Sequence, residues 1–132
     1  INSDLDTVNL LNSLDKYILL ETWNETCLPC IKAMKELPDF YKSMQSKMET
    51  YYLYENSNER VRKKFDKIFN FKNIKDKTKI LIDINEELYK GLNMKGFPYF
   101  LLFDSQGNLI YHSRGYIGKE ILSKQILEHI QS

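Results

Sequence analysis

One stretch of this chain leaves few choices about its fold. Tyr17-Ile18-Leu19-Leu20-Glu21-Thr22-Trp23 is an apolar run of strand length, and Asn24-Glu25-Thr26 is polar and suits a loop. Cys27-Leu28-Pro29-Cys30 then opens a segment in which Ile31, Met34, Leu37, Tyr41, Met44 and Met48 recur every three to four residues. The run reads as a strand buried on both faces, the habit of parallel sheets. The recurrence reads as one long amphipathic helix. Pro38 falls inside it and predicts a kink, because proline removes a backbone hydrogen bond and crowds the preceding turn. A strand feeding a helix is the first half of a parallel crossover, so helices must cover the sheet.

The remaining elements extend that pattern. Leu5, Val8, Leu11 and Leu14 predict a short amphipathic helix near the start, with Ser3 as its cap. Thr50-Tyr51-Tyr52-Leu53-Tyr54 is β-branched and aromatic and predicts a second strand. Asn56-Ser57-Asn58 ends it, and Val61, Phe65, Ile68 and Phe69 give a helix from Glu59 onward. Lys72 to Lys79 reads as a solvated loop, Ile80-Leu81-Ile82 as a buried strand, and Glu86 to Asn93 as a short helix. Tyr99-Phe100-Leu101-Leu102-Phe103 and Leu109-Ile110-Tyr111-His112 flank Asp104-Ser105-Gln106-Gly107-Asn108, which predicts an antiparallel hairpin. Ile121, Leu122, Ile126, Leu127 and Ile130 mark a last helix. The expected fold class is α/β: a central mixed β-sheet flanked by helices, with a helical insertion at about residues 57–79 before the third strand.

Composition narrows the function classes. A length of 132 residues fits one domain, here 1–132. Nineteen Lys and Arg stand against eighteen Asp and Glu, so the basic excess of a nucleic-acid binder is missing. Neither Tyr17–Leu20 nor Phe97–Phe103 approaches the roughly 20 apolar residues of a membrane span. The sequence begins at Ile1, not Met, and the expectation is a processed product from which a signal peptide or membrane anchor was removed.

The two cysteines, Cys27 and Cys30, carry the chemistry. Zinc needs about four ligands and this pair supplies two, while His112 and His129 lack a ligand spacing. A purely structural disulfide would close a loop too small to stabilise much. The redox reading fits better, because the pair follows a buried strand and opens a helix. There the unpaired N–H groups and the helix dipole favour an anion and hence the Cys27 thiolate. Cys30, one turn on, can attack a mixed disulfide formed on Cys27, so Cys27 attacks and Cys30 resolves.

With Trp23-Asn24-Glu25-Thr26-Cys27-Leu28-Pro29-Cys30, Gly96-Phe97-Pro98-Tyr99-Phe100-Leu101-Leu102-Phe103 and then Gly107, the chain resembles the thioredoxin superfamily. The stretch from Cys30 to Pro98 is longer than a plain thioredoxin needs, and an insertion there resembles the TlpA/ResA-like thiol–disulfide oxidoreductases, which are typically extracytoplasmic and often membrane-anchored. The N-terminus resembles plain thioredoxin more. The resemblance implies that Pro98 is a cis-proline facing the cysteines and that the Phe97 backbone pairs with an extended substrate segment. It places Glu21 at the buried carboxylate that accepts the resolving cysteine's proton, one methylene longer than thioredoxin's Asp. Desolvation would raise its pKa, and outward tipping to solvent is the alternative. Trp23 would pack near the site, as substrate contact or as core, Leu28 and Pro29 would contact substrate, and Glu25 and Leu28 would tune potential and partner choice.

Three departures from the family stand out. Thr26 replaces an aromatic before the first cysteine and is expected to help cap the helix. Glu36-Leu37-Pro38 resembles a Glu-x-Pro segment of the TlpA group, displaced three residues further from Cys30, which implies nearly an extra helical turn. Tyr99 replaces a small or hydroxyl residue after the proline and is expected to enlarge the groove wall if it points that way. The Met residues read as core, and His112 and His129 as surface.

The expected activity is thiol–disulfide exchange with protein substrates, in the reductase direction, recharged by an upstream redox partner. No organic cofactor or metal, no nucleic acid and a monomer are expected. A disulfide oxidase or isomerase of the same fold, or a redox-inactive thioredoxin-like binding module, stays open.

Overall fold

The computed structural model describes residues 15–55, 65–83 and 86–130. The helix expected over 4–14 and the segment from Glu59 to Lys64 lie outside them. Five strands form one sheet in the order β3-β2-β1-β4-β5, from β1 (Tyr17–Trp23), β2 (Met48–Tyr54), β3 (Ile80–Ile82), β4 (Tyr99–Phe103) and β5 (Leu109–Arg114). β1 pairs parallel with β2, from Tyr17 opposite Met48 to Trp23 opposite Tyr54. It pairs antiparallel with β4, which pairs antiparallel with β5. The central place of β1 explains its continuous apolar run: neighbours take both edges and helices take both faces.

Alternation along β1 sorts its side chains into two cores. Leu19 and Trp23 pack with Cys30, Ala33, Met34, Leu37 and Tyr41. Ile18 and Leu20 pack on the other face with Leu53, Leu81 and Leu101. The first core is closed by α1 (Leu28–Glu36), α2 (Pro38–Ser43) and α5 (Lys119–His129), whose Leu122 and Ile126 are wholly buried. The second is flanked by Leu88 and Tyr89 of α4 (Glu87–Gly91). Each large apolar side chain so buried contributes about 1.5–3 kcal/mol.

The structure corrects the single long helix. α1 stops at Glu36, where the Leu37 N–H bonds the Ala33 carbonyl at 2.9 Å, and Pro38 starts α2. A proline whose missing N–H falls in a first turn costs nothing there, so it begins a helix more readily than it bends one. The chain turns after Ser43, and Met48 opens β2. Met34, Met44 and Met48 are all buried as expected, but in three different settings.

Of the expected insertion, the described part comprises α3 (Phe65–Phe69), a loop, and a 3₁₀ turn at Lys77–Lys79 capped by Asp76. The loop reading of 72–79 is thus corrected at its end. The β4–β5 hairpin forms as read, with Asp104 Oδ1 accepting from the N–H groups of Gln106 and Asn108 and Gly107 at φ 88°. His112 is exposed, whereas His129 is half-buried against Tyr111.

Candidate active site

The site forms where β1 ends and α1 begins. Cys27 is the N-cap residue of α1 in extended conformation, and its Sγ accepts a hydrogen bond from the Cys30 N–H at 3.2 Å. Cys27 and Cys30 are joined in a disulfide. Cys27 is half-buried and Cys30 is fully enclosed, so an incoming thiol or disulfide meets Cys27 first. The first turn of α1 carries no acidic side chain, leaving its positive end available to a charge on Cys27 Sγ. The predicted cap at Thr26 is corrected: its N–H and hydroxyl both bond Asn24 Oδ1 and shape the loop instead.

Leu28 is 77% exposed and Pro29 is exposed beside it, which puts both on the surface around Cys27. Trp23, expected as a candidate substrate contact, is corrected to core. It is fully buried, edge-on to Tyr54 with ring centres 5.0 Å apart and against Phe71 at 4.9 Å. Glu25 accepts a hydrogen bond from the Tyr54 hydroxyl, which ties the loop before Cys27 to the same aromatic group.

The Phe97–Pro98 peptide bond is cis. Extending the β1–β4 register sets Pro98 opposite Trp23, at the end of β1 that leads to the cysteines. Phe97 is half-buried and stacks on Tyr89 at 5.4 Å, while the Tyr89 hydroxyl accepts from the Gly96 N–H at 2.7 Å. The Pro98 carbonyl accepts from the Gly115 N–H. Among the described residues no backbone partner meets Phe97. Tyr99 does not enlarge the groove. It turns into the second core, and its hydroxyl accepts from the Lys95 N–H at 3.0 Å.

Thr22 was legible only as a strand residue, yet it joins both halves of the site. Its hydroxyl accepts from the Tyr99 N–H at 2.7 Å, and its carbonyl oxygen lies 3.8 Å from Cys30 Sγ. The one sequence signal was its position: a polar pair, Glu21-Thr22, inside an apolar strand.

Glu21 takes the inward alternative. It is wholly buried and shares its face of β1 with Leu19 and Trp23, toward α1 and α2. Oε1 accepts from the Tyr41 hydroxyl at 2.5 Å, while Oε2 has no hydrogen-bond partner among the described residues. Desolvation pushes its pKa up to about 8, against a smaller lowering by the Tyr41 bond. Tyr41 itself had read only as part of an apolar stripe.

Among the described residues, no group of three or more His, Cys, Asp or Glu is placed to hold a metal ion, and no helix is long and apolar enough to cross a membrane.

Comparison with known proteins agrees with this geometry. No curated protein matches the sequence significantly. The fold is similar to the exposed lipoprotein thioredoxin of Streptococcus pneumoniae, at 15% identity and a TM-score of 0.77, covering 97% of this chain and 96% of that one. It is similar to a thiol:disulfide interchange protein from Bacteroides sp., at 18% identity and a TM-score of 0.73, covering 100% of this chain and 84% of that one. It is also similar to a protein described as a DsbE-type thiol:disulfide interchange protein from Chlorobium tepidum, at 18% identity and a TM-score of 0.70, covering 89% and 82%. A family model described as the thioredoxin-like domain matches residues 5–131. With that match spanning nearly the whole sequence, and with the mixed sheet and the Cys27–Cys30 pair in place, the chain belongs to the thioredoxin-like domain family.

Proposed function

We propose that this chain is a thiol–disulfide oxidoreductase acting on protein thiols and disulfides, with the Cys27–Cys30 pair as its redox centre and no organic cofactor. The observation that carries this is the asymmetry of the pair: Cys27 half-buried at the positive end of α1, Cys30 enclosed behind it. In the reducing direction the Cys27 thiolate attacks a substrate disulfide. A Cys27–substrate disulfide forms and the first substrate thiolate leaves. Cys30 gives its proton to Glu21, attacks Cys27 Sγ and releases the second substrate thiolate. The dithiol loses two electrons and the substrate gains them. Leu28 and Pro29 form the contact surface, and the Phe97 backbone pairs with an extended substrate segment beside Pro98.

The chain's setting and partners follow from the same reading. We place it in the TlpA/ResA-like branch, extracytoplasmic, as a monomer recharged by an upstream redox partner, with any membrane anchor lying outside the present chain. The segment between β2 and β3 supports the branch, and the neighbour titled an exposed lipoprotein supports the location.

The deciding experiment is the equilibrium reduction potential of the pair in dithiothreitol or glutathione buffers. A value near about −270 mV makes it a reductase, and one near about −120 mV makes it an oxidant that installs disulfides. Absence of any reversible two-electron couple leaves the redox-inactive binding module.

A further inference from the structure

Glu21 has two oxygens in unequal positions. Oε1 is held by the Tyr41 hydroxyl, and Oε2 is buried without a partner among the described residues. Tyr41 reaches it from α2, the helix that starts at Pro38. Tyr52 stands beside Glu21 across the β1–β2 pairing and Phe100 across the β1–β4 pairing, and a charge on Glu21 raises the pKa of Tyr116 on the segment after β5. Cys30, Ala33 and Met34 of α1 and Leu122 and Ile126 of α5 belong to the core on this face of β1. Burial and the Tyr41 hydroxyl are the influences that set its proton affinity.

We propose that Tyr41 is a positioning residue for the exchange reaction: its hydroxyl fixes Glu21 Oε1 and leaves Oε2 as the oxygen that takes up and returns the Cys30 proton. The proposal rests on the oxidoreductase reading above. In the resolving step the Cys30 S–H bond breaks, its proton goes to Oε2, and the freed electron pair forms the bond to Cys27 Sγ. The Cys27–substrate bond breaks, and the departing substrate thiolate takes a proton from solvent. Oε2 returns its own proton when the disulfide is next reduced and Cys30 becomes a thiol again.

The carboxylate form does this work, so the rate rises with pH through the Glu21 midpoint. A hydroxyl donating to a carboxylate stabilises the charged form, so removing it moves that midpoint up. Tyr41 therefore keeps the base usable at a lower pH than burial alone allows.

Two measurements test this together. In oxidised protein carrying ¹³C-glutamate, the Glu21 carboxyl carbon is expected to titrate near 8. Tyr41→Phe is expected to raise that midpoint by about 0.5 unit or more, through loss of the bond to the charged form. Tyr52→Phe is expected to leave the Glu21 midpoint in place. In single-turnover reduction of glutathione disulfide by the reduced protein, the rising limb is expected to move with Tyr41→Phe and to vanish with Glu21→Gln. The double variant should match Glu21→Gln alone. A midpoint unmoved by Tyr41→Phe in a wild type that exchanges normally ends the Tyr41 role alone, as does a double variant that is slower than Glu21→Gln by the full Tyr41→Phe factor. A wild type that reduces no disulfide at any pH ends the oxidoreductase reading itself, and the Tyr41 role with it.

Discussion

Among the described residues two carboxyl groups are wholly buried, and they are buried differently. Glu21 lies on the central strand, on the face whose core includes Cys30, with one oxygen held by Tyr41. Glu55 lies just past the end of β2, and among the described residues neither of its oxygens has a hydrogen-bond partner of normal geometry. Burial raises Glu55 first, and the nearby Asp83 and Glu86 carboxylates raise it further, to about 10. Glu21, with a donor and no carboxylate acting on it, stops near 8. One hydroxyl and two acidic neighbours separate a group that titrates within reach of thiol chemistry from one that stays a neutral acid. Burial alone makes a carboxyl inert; the company it keeps decides whether it can exchange protons.

The largest expected effect breaks the symmetry between the two outright. Cys27→Ser should lower disulfide exchange by at least about 10³-fold, because the attacking sulfur is gone. Reduction of the pair in the unmodified protein should move the Glu21 midpoint and leave that of Glu55, which a carboxyl-carbon titration in both redox states would show.

The next effect is on stability. Both groups have folded pKa values above the ordinary 4.5, so their favourable protonated state is complete below that value and is lost as pH rises. At pH 7 the unfolded chain has released both protons, so Glu21→Gln and Glu55→Gln should each stabilise by about 3 kcal/mol. Above pH 8 the gain from Glu21→Gln levels off, while that from Glu55→Gln keeps growing until about pH 10. Denaturant midpoints at pH 4, 7 and 9 would separate them, and equal gains at pH 9 would refute the distinction.

How much of this was legible beforehand divides along the same line. Strand positions came through wherever β-branched and aromatic residues ran together, as in β1 and β4. Both cysteines were readable from their spacing and place after a strand, and Pro98 from the resemblance of its segment to the thioredoxin superfamily. The helix boundary at Leu37 was hidden, since apolar recurrence carries straight through a break that keeps the same residues buried. Tyr41 and Thr22 were hidden for another reason. Their roles come from residues distant in sequence, Glu21 and Tyr99, that only the folded sheet brings to their hydroxyls.

Smaller substitutions sharpen the contrast between paired polar groups in the core and at the surface. Thr22→Val removes the acceptor of the buried Tyr99 N–H and should cost about 1–3 kcal/mol. Lys79→Ala removes a half-exposed ion pair with Glu49, which also pairs with Lys16, and should cost at most about 1 kcal/mol. Thermal or urea unfolding at pH 7 ranks them, and a larger loss for Lys79→Ala would invert the argument.

The strand order has a consequence for how the molecule is made. β1 is synthesised before its antiparallel partner β4, with β2 and β3 between them along the chain. Until Phe103 has been synthesised, the edge of β1 that pairs with β4 stays open, with Cys27 and Cys30 already made beside it. Contacts this distant along the chain also slow folding. The growing chain thus carries its reactive sulfurs next to an unpaired strand edge until β4 arrives to pair with it.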